Sequence, residues 1–115
     1  MIKVNIYEKP TEQEPVRIGF SLEGHAGSAE SGHDIVCAAV SMLVINTINS
    51  IEELTDERFM IEQNEASGYV KLMFHDAPGE RASLLVESMI LGLLSVRRDY
   101  GKKYISLQTV EVKES

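Results

Sequence analysis

Between Ile35 and Ile45 the chain reads IVCAAVSMLVI, a run that is apolar at nearly every angle a helix could present. Such a helix cannot lie on a surface with one dry stripe and one wet one, so its start must be buried on most sides. Further along, Asn46, Thr47, Asn49 and Ser50 give the same helix a polar side as it runs to about Leu54. The fold must therefore offer something broad and apolar for this segment to lie on. Asp34 is a suitable N-cap just ahead of it, which makes Ile35, Val36 and Cys37 the expected first helical residues.

The surrounding segments read as a sheet. The opening MIKVNIYEK sets Ile2, Val4 and Ile6 against Lys3, Asn5 and Tyr7, the period-two pattern of a strand with one buried face. KPTEQEP breaks it, and a second run then aligns Val16, Ile18, Phe20 and Leu22, so an antiparallel hairpin is expected. RFMIE and YVKLMF form a second hairpin across QNEASG, where Gly68 can take the positive backbone angle of a tight turn. After HDAPG a second helix is expected from Glu80 to Arg98, with Leu84, Leu85, Val86, Met89, Ile90, Leu93 and Leu94 as its apolar body. Arg97 and Arg98 suit its C-terminal dipole and Gly101 its end. YISLQTVEV alternates again and closes the chain as a strand. The expected class is α+β: a single domain over residues 1–115, in two layers and in the order ββαββαβ, with a mostly antiparallel sheet and both helices on one face.

Charge narrows the partners. The net charge is −7, and the only cluster of basic residues is Arg97, Arg98, Lys102 and Lys103, so no surface that tracks phosphates can be assembled and direct nucleic-acid binding is not expected. A basic protein or peptide suits the charge better. No apolar stretch approaches the roughly 20 residues of a membrane span, and the alternating N-terminus has no signal-peptide core. A cytoplasmic protein is expected, with no membrane association and no cofactor. The lone cysteine cannot pair within the chain, and in a reducing compartment its thiol stays available for chemistry.

Two residues stand out for chemistry. Cys37, if Asp34 caps the helix, lies in its first turn, where unpaired N–H groups and the positive dipole end favour a thiolate. Cysteine is also among the most often buried residue types, and packing between Val36 and Ala38 is the competing role. His25 directly follows a strand, so its backbone is anchored by the sheet, and a contact with Cys37 would supply a general base and acid; a solvated loop histidine is the plainer reading. The stretch between them, with Gly27, Ser28 and Gly32, has no large apolar side chain to pin it and could open over a substrate as a lid, or be an ordinary surface loop. Asp34 either caps the helix or orients His25. Ser41 shares a helical face with Cys37 and either bonds within the site or back to its own helix. A metal site built from His25, His33, Asp34 and Cys37 lacks the closely spaced pairs of zinc signatures and is not expected. His33 reads as a solvated residue before the cap and His75 as a turn residue.

The register GHA, a gap that starts at Gly27, and then DIVCAAVS resembles the ribosomal-processing cysteine protease family, often called Prp. Element order and chain length resemble that family end to end. The resemblance implies a cytosolic homodimeric endopeptidase that removes a short N-terminal extension from a large-subunit bacterial ribosomal protein. His25 would then be the catalytic histidine, Cys37 the nucleophile, Asp34 and Ser41 supporting positions, and the intervening loop a cover over the site. The chemistry fits: the Cys37 thiolate attacks the carbonyl, N–H groups at the helix start hold the oxyanion, and His25 protonates the departing amine. A homodimer is also suggested by a first helix too apolar for one sheet face to cover. The rival reading is a non-enzymatic ribosome-assembly or ribosomal-protein-binding module in which the cysteine is structural.

Overall fold

The computed structural model describes residues 1–24 and 31–113, and of residues 31–34 the backbone only. Within them the order is β1 (Ile2–Lys9), β2 (Val16–Glu23), α1 (Ser31–Leu54), β3 (Phe59–Asn64), β4 (Tyr69–Phe74), α2 (Glu80–Tyr100) and β5 (Ile105–Glu111). This is the expected ββαββαβ sequence. The five strands make one sheet in the order β3-β4-β2-β1-β5. Both expected hairpins form, β1 with β2 and β3 with β4, and β2 pairs antiparallel with β4. The closing strand β5 lies parallel to β1, the one parallel pair in the sheet.

Register explains the two faces. Val4 lies opposite Leu22 and Ile6 opposite Phe20, and Phe20 in turn faces Leu72 while Leu22 faces Val70. All of these are buried, so alternation along each strand stacks into one continuous apolar face. Both helices pack on that face: Val36, Val40, Val44 and Ile51 from α1, and Ala82, Val86, Met89 and Leu93 from α2, join the same core cluster. The opposite face is polar but organised. Tyr7 Oη and Ser21 Oγ are 3.0 Å apart, Asn5 Nδ2 donates to Ser21 Oγ at 3.4 Å, and the Lys71 ammonium sits 4.8 Å from the Tyr7 ring centre.

Three expectations change. α1 begins at Ser31, so Gly32 belongs to the helix and not to a lid, and Asp34 lies within its first turn instead of capping it. A short acidic side chain is as favourable in a first turn as just before it, so spacing alone could not separate the two placements. Second, Leu84 and Leu94, expected in the body of α2, are 67% and 39% exposed, and Ala82 takes the inner position instead. Third, Ile35–Leu54 is long and apolar enough to cross a membrane by length and composition, with mean hydropathy 1.6 over a qualifying window. Its asparagines and serines are uncharged and lower hydropathy only partly. In this fold it is the core helix.

Helix α2 is held at both ends. Gly101 stops it with φ +103° and donates its N–H to the Arg97 carbonyl. At the start no side chain of the helix caps it; Glu57, far back in the chain, accepts the Gly79 N–H at 2.7 Å and brings a carboxylate to the positive dipole end. Glu57→Ala is expected to cost about 1 kcal/mol and lower the thermal midpoint by about 5 °C, measured by circular dichroism.

Candidate active site

Cys37 is the seventh residue of α1, nearly two turns from its start, and is 4% exposed. It is part of the apolar core on one side and opens onto a groove on the other. The groove has a volume of about 380 Å³. One wall is a single stripe of α1, in which Cys37, Ser41, Ile45 and Asn49 follow at four-residue spacing, flanked by Ala38 and Ile48. The floor is the end of β2 and the start of β4, with Leu22, Tyr69 and Val70. The far wall is the tip of the second hairpin, Gln63, Asn64, Glu65 and Gly68.

The placement of Cys37 revises its chemistry. Only the first four N–H groups of a helix lack intrahelical partners, and residue seven is beyond them. Neither activation of the thiol by the helix end nor an oxyanion hole at that end follows from this geometry. A thiolate here needs a neighbouring base. Ser41 lines the groove one turn on from Cys37, as the spacing implied.

Gly24 directly follows β2 and precedes the base expected at the next position. Its φ is +122°, a conformation open essentially to glycine, and an added Cβ would stand 3.2 Å from the Ile2 Cα. Gly24 also lines the groove. His25, Gly27 and Ser28 lie outside the described residues, as do the side chains of His33 and Asp34. The metal reading rests on those residues.

The groove is chemically mixed. Leu22, Ile45, Ile48 and Val70 offer apolar contact, while Asn49, Gln63 and Asn64 offer amides that can both donate and accept. Glu65 is the one charged side chain among the described lining residues. The Tyr69 hydroxyl is held above its usual pKa, first by burial and then by Tyr7, Glu62 and Glu23 nearby. Such a lining suits an extended peptide: apolar pockets for side chains and amides for main chain. Sequence reasoning found the Cys37–Ser41 face but missed the hairpin wall. The four-residue spacing could have extended that face to Ile45 and Asn49; nothing local marks Gln63 and Asn64, since they arrive only because β4 pairs with β2.

The chain is similar in sequence and fold to known proteins. A family model described as cysteine protease Prp matches residues 1–106. The ribosomal processing cysteine protease Prp of Staphylococcus aureus (strain NCTC 8325 / PS 47) is 32% identical over 81 residues, covering 70% of this chain and 76% of that protein. Its namesake in Bacillus subtilis (strain 168) is 33% identical over 87 residues, covering 72% and 78%. The crystal structure of an essential ribosomal processing protease Prp from S. aureus with a substrate peptide superposes with TM-score 0.83 at 29% identity, covering 96% of this chain and 100% of that one. A second S. aureus structure, with a covalently linked product peptide, gives TM-score 0.80 at 30% identity with the same coverage.

Gly24→Ala tests the turn. It is expected to destabilise the fold by about 1–3 kcal/mol, read by urea unfolding; an unchanged midpoint would show that the backbone relaxes there at no cost.

Proposed function

The chain belongs to the Prp family of cysteine proteases, and from that premise we propose that it removes the N-terminal extension of a large-subunit ribosomal protein, with Cys37 as nucleophile and His25 as general acid and base. Membership sets aside the reading of a non-enzymatic ribosome-assembly module with a structural cysteine. The observation that carries the assignment is the position of Cys37, the chain's sole cysteine, at the head of a groove whose lining suits a peptide. The S. aureus relative holds a substrate peptide in one crystal structure and a covalently linked product peptide in another.

The chemistry proceeds as follows. The Cys37 thiolate attacks the scissile carbonyl carbon and the carbonyl pair moves to oxygen. Collapse of the tetrahedral intermediate breaks the C–N bond, and His25 gives its proton to the departing amine. His25, now neutral, takes a proton from water as that water attacks the thioester, and release of the acid restores the thiolate–imidazolium pair. Since Cys37 lies past the first turn of α1, the acidity of its thiol depends on His25. Asp34 and Ser41 support the pair, and the residues around Gly27 and Ser28 cover it. A net charge of −7 favours encounter with a basic ribosomal protein.

The protein works in the cytoplasm as a homodimer on this reading. Ile35 and Met42 on α1 are 52% and 68% exposed, apolar surface that a second copy would cover.

Cys37→Ala is expected to lower the cleavage rate of the extended ribosomal protein by at least about a thousandfold with an unchanged fold, read by intact mass; undiminished cleavage removes Cys37 from the mechanism. Alkylation by iodoacetamide should persist below pH 7 in the unsubstituted protein and lose that low-pH rate in His25→Ala. Light scattering should report twice the chain mass at micromolar concentration, and a monomer would contradict the dimer.

A further inference from the structure

Strand β3 ends the sheet and is left largely uncovered. It is terminal in the strand order, and of its residues only Phe59 is half-buried while the rest are exposed. Met60 and Ile61 are 66% and 38% exposed. Edge strands are usually guarded by lysine, proline or a bulge. The β3 segment FMIEQN has neither residue, and its register with β4 is unbroken.

The ladder tells which backbone groups face outward. The His75 N–H donates to the Arg58 carbonyl at 2.9 Å, so these two residues form a hydrogen-bonded pair. Hydrogen-bonded and open pairs alternate along an antiparallel ladder. Continuing the register from Phe59 opposite Phe74 to Asn64 opposite Tyr69, Met60, Glu62 and Asn64 direct their N–H and C=O groups at β4. Phe59, Ile61 and Gln63 direct theirs away from the sheet. Gln63 also lines the groove that holds Cys37. The open edge and the groove therefore meet at one residue.

We propose that a segment of the substrate flanking the scissile bond adds to the sheet as a further strand, pairing its main chain with Ile61 and Gln63. This rests on the protease reading above and names how the substrate is held. The occupant is an extended peptide because the edge runs directly into the wall of a peptide-cleaving groove. Backbone pairing recurs every second residue, so it fixes the register in which the next bond enters the groove. An added strand stands about 5 Å outside β3, so the paired residues flank the bond that is cut. Strand β5, the opposite edge, contributes no residue to the groove among those described.

Proline at position 61 removes an outward N–H and leaves the β4 ladder intact, whereas proline at position 62 removes a ladder bond. With a synthetic peptide spanning the cleaved region, Ile61→Pro is expected to raise KM about tenfold with little change in kcat, the loss of one main-chain hydrogen bond. Glu62→Pro is the control and lowers the melting temperature. A second measurement needs no variant: N-methylation of successive peptide residues on the unsubstituted enzyme should raise KM at every second flanking position. An unchanged KM in folded Ile61→Pro, or a flat N-methyl scan, overturns the proposal. The nucleophile assignment is read separately, on the rate of Cys37→Ala.

Discussion

Val36, Val40, Val44 and Ile51 form a fully buried ridge along α1, and seating that ridge in the core with Val4, Phe20 and Leu72 fixes where Cys37 stands. Each such side chain contributes about 1.5–3 kcal/mol on burial, so the helix cannot rotate without large loss. Cys37 lies beside Val36 on this ridge, which holds its backbone still while its neighbours Ala38 and Ser41 face the groove. On the proposed mechanism, in which Cys37 attacks a poorly reactive amide, such a rigid platform matters because small displacements of reacting atoms cost rate steeply.

The same seating limits how the thiol can be activated. With α1 starting at Ser31, the helix end is too far from Cys37 to supply unpaired N–H groups. On the proposed mechanism activation then falls to His25, the residue after Gly24, whose φ of +122° only glycine adopts readily. On that reading strand and helix divide the work: β2 anchors the chain up to Gly24, and α1 presents Cys37 to the groove. The second hairpin completes the site by closing the groove from the far side, and its outer edge remains open for further pairing.

Much of this was legible in the chain. Period-two alternation in MIKVNIYEK and YISLQTVEV gave strands, with the correct inner residues Ile2, Val4 and Ile6 in the first, because one buried face forces every second side chain to be apolar. The apolar run from Ile35 gave the helix but not its burial on most sides: Val36, Val40 and Val44 are buried, while Ile35, Met42 and Ile45 stay exposed. What did not show was its start: SGHD carries cap-forming and helix-compatible residues together, so the boundary fell four residues early in space, moving Cys37 out of the first turn. The parallel pairing of β5 with β1 and the contact of β4 with β2 are long-range choices with no local signature. That is why Cys37 and Ser41 were found from spacing, and Gln63, Asn64 and Glu65 only from the folded chain. Leu84 and Leu94 were apolar by type yet exposed, since residue type alone does not say which side of a helix meets the core.

The most direct test of Cys37 as the attacking atom is to trap the intermediate. Enzyme mixed with cleaved peptide and quenched in acid within the first turnover should gain the mass of the acyl fragment, on the Cys37-containing peptide and labile to hydroxylamine as a thioester is. Product formation with no mass gain on Cys37, or an adduct on another residue, would contradict the mechanism.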